Sequence, residues 1–189
     1  MAGNSLGGAI AAVYAQRHPA RVRRLAFIGP PLGLEPWGPQ VRRAIIDGVN
    51  PFIPLTSTQF ELEMALLFAQ PPSIPDDVRM SLIHEYATRT QHYRQVWDIV
   101  NLFDSVLQDV CGEPLGINSP VLIVWGASDA IYPVAGAQSL NGRLPDSQLV
   151  ILPKTGHLPM MERAAETARH LVVFLRDPGD VDSLSDPER

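Results

Sequence analysis

Three short runs of consecutive apolar residues constrain this chain more than any other feature: L-A-F-I at 25–28, V-L-I-V-W at 121–125 and L-V-I-L at 149–152. The first two read as buried strands, V-L-I-V-W of the kind found in parallel sheets, and the third as a further strand. Helical patterns separate them. Residues 6–17 are small or apolar with no breaker after Gly8, and Pro19 stops that helix. Met161, Ala165, Ala168, Leu171, Val172 and Leu175 mark one face of a final helix. The order helix, strand, insert, strand, helix, strand, helix predicts an α/β fold with three parallel strands.

The insert has a different character. P-P-L-G-L-E-P-W-G-P holds four prolines in ten residues and marks an exit from the regular fold. Thr58 and Glu61 form a T-x-x-E capping pattern before an apolar run. Val78, Leu82 and Tyr86 recur every four residues after Pro75, and Val96, Ile99, Val100, Phe103 and Leu107 continue the helical spacing. The block is all-helical. The boundaries expected are a core segment at 1–30, a helical cap at 31–112, a second core segment at 113–176 and an acidic, disordered tail at 177–189.

Composition excludes several classes. No run of about 18 apolar residues exists, so no membrane-spanning helix is expected. Cys111 is the lone cysteine, which rules out an intrachain disulfide and fits a reducing compartment. The first residues lack a basic leader and are broken by Gly7 and Gly8, so export is not expected and a cytoplasmic location is. The net charge is −5 and most of it lies in the last thirteen residues, so nothing resembles a basic nucleic-acid footprint.

The chemistry starts at Gly3-Asn4-Ser5-Leu6-Gly7, a G-x-S-x-G immediately before a helix. Alone this match is weak, since it arises by chance in roughly 6 % of chains this long. In a nucleophile elbow the serine sits in a strained strand-to-helix turn, and the Leu6 backbone N–H points at a developing oxyanion. A serine needs a base and the base an orienting acid. Of five histidines, His18, His84, His92 and His170 read as surface or cap residues. His157 instead follows the strand L-V-I-L in a loop, P-K-T-G-H-L-P, where ligands bind in α/β sheets. Asp129 follows V-L-I-V-W by the same rule, though a turn or N-cap role also suits it; Asp104 and Asp109 are weaker candidates. The chain order Ser5, Asp129, His157 is that of α/β-hydrolases. There is no metal-ligand cluster and no phosphate loop, so no metal and no cofactor is expected.

G-N-S-L-G-G, W-G-A-S-D and G-H-L-P-M-M-E together resemble the α/β-hydrolase family from its elbow to its last helix. The likeness spans about residues 1–176 and is nearest to the monoacylglycerol-lipase-like and bacterial esterase/lipase branch, through F-A-Q-P-P-S-I-P-D-D-V and M-E-R-A-A-E-T-A. It implies a serine carboxylic-ester hydrolase acting on a small acyl ester, with Ser5 as nucleophile, His157 as base and Asp129 as its orienting acid. It implies a cap whose Trp37, Phe52, Phe60, Met64, Phe68, Trp97 and Phe103 either form an acyl pocket or simply pack the cap. Asn4 and Leu158 stand beside the nucleophile and the base as further pocket candidates.

The chain departs from the family at its start. Only Met1 and Ala2 precede Gly3. The resemblance therefore implies that the strand leading into the elbow, the second oxyanion donor and roughly 90–100 residues of the first half of such a domain lie outside this chain. L-A-F-I at 25–28 is then expected to present an open strand edge for pairing with another polypeptide. Two alternatives follow: an inactive hydrolase fragment or interaction module, and a carbon–carbon bond hydrolase of the same fold. Such hydrolases commonly carry Trp directly after the histidine, where this chain has Leu158.

Overall fold

The computed structural model describes residues 1–32, 35–102 and 116–176. Four parallel strands form one sheet in sequence order: β1 (Ala2–Asn4), β2 (Leu25–Ile28), β3 (Val121–Gly126) and β4 (Ser147–Leu152). Among the described residues eight α-helices accompany them: α1 (Leu6–Arg17), α2 (Pro39–Ile46), α3 (Ser57–Leu67), α4 (Asp76–Thr88), α5 (Thr90–Leu102), α6 (Ala135–Arg143), α7 (Pro159–Glu162) and α8 (Ala164–Leu175). Side chains alternate across a strand, so β2 and β3 supply two cores. Leu25, Phe27, Val121, Ile123 and Trp125 pack with Ala9 and Ala12 of α1 and Leu140 of α6. Ala26, Ile28, Leu122 and Val124 pack with Leu152 and with Phe174 of α8.

The strand count differs from the expectation of three. Ala2–Asn4 is itself a strand, in register with Ala26, Phe27 and Ile28. The Ala26 N–H donates to the Met1 carbonyl at 2.9 Å, and the Ser5 N–H donates to Ile28 O at 2.9 Å. The edge expected at 25–28 is therefore occupied, and β2 lies between β1 and β3. Ala-Gly-Asn carries no β-branched or aromatic residue, so nothing in its composition marks a strand; its backbone ladder alone makes it one.

Three local readings also change. Thr56, not Thr58, caps α3: its side chain accepts the Gln59 N–H, while Gln59 Oε1 accepts the Leu55 N–H at 2.8 Å. The capping pattern is thus T-x-x-Q, two residues earlier than T-x-x-E. Thr56→Ala is expected to cost about 1 kcal/mol in urea unfolding and Thr58→Ala almost nothing. In α4 the four-residue spacing marks a helix but not its buried face. Val78 and Leu82 are exposed, and Ile83 is buried instead. The final helix is broken at Arg163, which separates α7 from α8. The break shifts the inward face to Thr167, Leu171 and Phe174, while Met161, Ala165, Ala168, Val172 and Leu175 are exposed. Phe103, Leu107 and Cys111, with the expected tail at 177–189, lie outside the described residues.

Among the described residues, 39–102 are helices and connecting turns without a strand. Glu63 of α3 is buried there and accepts a hydrogen bond from the Tyr86 hydroxyl of α4 at 3.0 Å. Burial pushes its carboxyl up from 4.5 to about 7, against the lowering effect of that bond. Glu85 and the Tyr93 ring also face Tyr86. The folded state therefore holds a proton at Glu63 that the unfolded chain has already released. Its contribution is full below about pH 4.5 and is lost as the pH rises towards 7. Urea midpoints of Glu63→Gln are expected to fall less than those of the parent between pH 5 and pH 8; an equal fall would refute the assignment.

No described helix is long and apolar enough to cross a membrane.

Candidate active site

Ser5 stands between β1 and α1 with φ 48° and ψ −126°. A positive φ is strained for a residue with a side chain and is the backbone signature of an elbow. Close packing holds it there. A Cβ on Gly3 would collide with the Gly7 backbone, and one on Gly8 would come within 2.8 Å of Pro30. Gly7 faces open space, so Gly3 and Gly8, rather than Gly3 and Gly7, are the glycines that let strand and helix meet. The serine side chain makes no capping bond to α1. Leu6 N–H belongs to the first turn of a helix, whose donors have no intrahelical acceptor.

His157 and Asp129 come from loops after β4 and β3, both buried. His157 Nδ1 lies 2.9 Å from Asp129 Oδ2. The carboxylate accepts, so Nδ1 carries the proton and Nε2 is left as the acceptor. The other carboxylate oxygen, Oδ1, accepts the Ile131 and Tyr132 N–H groups, each at 2.9 Å. One oxygen of Asp129 thus closes a turn while the other hydrogen-bonds His157. Asp104 and Asp109 lie outside the described residues.

Asn4 ties the elbow to the histidine. Its side-chain amide donates to Ile28 O at 3.1 Å and to His157 O at 3.4 Å. Ser5, Asp129 and His157 stand beyond the carboxyl ends of β1, β3 and β4 of one parallel sheet, where open α/β sheets bind ligands. Strand-end placement of a serine in an elbow, a buried Asp–His pair and the chain order of the three agree with one family, and its sequence profile, described as the alpha/beta hydrolase fold, matches residues 1–164. The chain belongs to the α/β-hydrolase family.

Its relatives include monoacylglycerol lipase abhd6-B of Xenopus laevis, 31 % identical over 183 residues, covering 93 % of this chain and 54 % of the relative. Lipase 3 of Moraxella sp. (strain TA144) is 25 % identical over 179 residues, covering 91 % of this chain and 54 % of that lipase. Among solved structures, a membrane phospholipase A described as a bacterial virulence factor is 29 % identical and superposes with a TM-score of 0.80, covering 92 % of this chain and 55 % of that one. The chain spans about half the length of the curated relatives it matches.

The other sequence candidates separate in the structure of this α/β-hydrolase chain. Trp37, Phe52 and Trp97 form an aromatic cluster, and Trp37 stacks on Tyr132 with ring centroids 4.9 Å apart. Tyr132 in turn lies 5.7 Å from the His157 ring. Phe60 is not in this cluster; it lines a separate cavity of about 290 Å³ with Met64 and Ile74. Phe68 is buried just past α3, and its backbone passes His157's neighbour Gly156. Leu158 is half-buried at the start of α7. A cavity of about 520 Å³ opens beside Leu6 between α1 and α5, lined by Ile10, Val13, Val96, Ile99 and Val100; none of the described cap aromatics lines it. Two residues were missed by sequence reasoning. Tyr132, in A-I-Y-P, gave a signal only through its place after Asp129, and Glu162 was read only as part of a family resemblance.

Proposed function

We propose that this chain carries the Ser5–His157–Asp129 triad of a serine carboxylic-ester hydrolase that acts on small acyl esters of the lipid class. The observation that carries the reading is the buried His157–Asp129 pair at 2.9 Å, set at the sheet rim where Ser5 holds its strained backbone. Relatives named lipases add support. Residues 1–30 and 113–176 act as the catalytic core and 31–112 as its cap, whose cluster of Trp37, Phe52 and Trp97 reaches the base through the stacking of Trp37 on Tyr132.

The reaction follows from the groups present. Ser5 Oγ adds to the ester carbonyl as His157 Nε2 takes its proton, and Asp129 stabilises the resulting imidazolium. The carbonyl oxygen becomes an oxyanion, to which Leu6 N–H donates at the positive end of α1. The tetrahedral adduct collapses to acyl-Ser5, and the alcohol leaves with the proton from His157. Water then adds to the acyl group with His157 again as base, releasing the acid and restoring Ser5. Leu158 stands where carbon–carbon hydrolases of this fold commonly have Trp, which favours the ester reading.

The test pairs a fluorophosphonate probe with a short-chain aryl ester, using the purified chain and Ser5→Ala. Covalent labelling and slow turnover in the parent, both absent from Ser5→Ala, are expected, since loss of one oxyanion donor costs about 10²–10³ in rate. A folded chain that neither takes up the probe nor turns over ester would return the reading of an inactive hydrolase fragment or interaction module.

A further inference from the structure

We propose that Glu162 is a positioning residue that straps the cap to the backbone of His157, so that the cap and the base move as one body. The inference rests on the triad reading above and extends it to a residue that touches neither Ser5 nor the His157 ring.

One carboxylate joins two strands of chain. Glu162 Oε1 accepts the Gly156 N–H at 2.6 Å, directly before His157. Oε2 accepts the Ala69 N–H at 2.9 Å and the Gln70 N–H at 3.4 Å, just beyond the end of α3. Between these anchors the His157 N–H donates to the Leu67 carbonyl at 2.9 Å. Glu162 thus grips both sides of the backbone bond between His157 and Leu67 of the cap. Bonds from N–H groups to an ionised carboxylate are shorter and stronger than neutral ones, and a carboxylate has room for all three donors.

The approach is sterically exclusive. A Cβ on Gly156 would lie 2.6 Å from Ala69 N, 2.8 Å from Leu67 O and 2.9 Å from Phe68 C. Only a glycine lets the two backbones come this close. The carboxylate that receives these donors stands five residues after the histidine, on the short helix α7 that the loop enters. His157 is consequently held at its ring by Asp129 and at its backbone by two groups, Leu67 O on its N–H and the Asn4 amide on its carbonyl; the hold from the cap is Leu67. The hold by Leu67 depends on Glu162. A base displaced by about 1 Å loses much of its catalytic effect, which is why a residue outside the reacting atoms can set the rate.

The experiment uses the 189-residue chain labelled with ¹⁵N, and Glu162→Ala and Glu162→Gln. Amide hydrogen exchange is read at Gly156, His157, Ala69 and Gln70, with Ile123 of β3 reporting global stability. In Glu162→Ala, exchange at His157, which Glu162 does not touch, is expected to rise at least tenfold while Ile123 is unchanged. The kcat for the aryl ester is expected to fall about tenfold or more with KM unchanged. Glu162→Gln keeps one acceptor oxygen and is expected to recover part of both. An unaltered His157 amide beside faster Gly156, Ala69 and Gln70 would overturn the strap, as would equal losses of kcat in the two variants. If the parent turns over no ester and takes up no phosphonate, the hydrolase reading falls, and exchange at His157 alone decides the strap.

Discussion

Asp129→Asn is expected to slow both phosphonate labelling of Ser5 and ester turnover by about 10⁴-fold, the size of effect seen when the acid of a serine triad becomes an amide. The fold should survive, because an asparagine oxygen still accepts the Ile131 and Tyr132 N–H groups that now bind Oδ1. The loss arises at the other end of the side chain. An NH₂ in place of Oδ2 can only donate to His157 Nδ1, which must then accept. The ring proton moves to Nε2, and the proposed base loses its acceptor lone pair. Labelling rates measured on the parent and the variant, with thermal unfolding to show that both are folded, check this directly. A fall of less than tenfold would mean that Asp129 serves only its turn.

Phe27→Ala is expected to cost about 3–5 kcal/mol in urea unfolding, the range for removing a large aromatic side chain from a close-packed core. Phe27 is 0 % exposed and lies in β2, paired with Gly3 on one side and Ile123 on the other. Its ring joins the cluster that holds Leu25, Val121, Ile123 and Trp125 against α1 and α6. Met161→Ala is the control. That side chain is 63 % exposed, and its loss is expected to change stability by no more than about 0.5 kcal/mol. A cost below about 1 kcal/mol for Phe27→Ala would show that β2 is not the interior strand described above.

Much of this molecule is legible in its residues, because the signals are local and strong. Helix α1 runs from the residue after Ser5 to Arg17, where Gln-Arg-His-Pro ends the pattern. The runs at 25–28 and 121–125 are buried strands because a parallel strand with both faces covered admits no polar position. His157 and Asp129 stand out among the histidines and acids because strand-end loops are few. Other features were hidden where the deciding contact is remote. Residues 2–4 become a strand only by pairing with 26–28. The spacing at Val78 and Leu82 forms a helix whose neighbour, α3, meets it through a different face. Phe60 and Trp97 look alike as cap aromatics, yet they occupy separate places.

The sequence by itself determined the α/β order, the candidate residues for the site and the family to which they point. Periodicity, glycine and proline placement and chain order are properties of neighbouring residues and need no third dimension. Only the tertiary structure decided what those residues touch. It placed Asp129 within 2.9 Å of His157 across 28 residues of chain, turned three unpromising residues into β1, and brought Glu162 to Ala69 over a separation of 93. Such contacts depend on how helices and strands pack, and packing is settled by buried surface and shape over the whole molecule rather than by any one stretch of it.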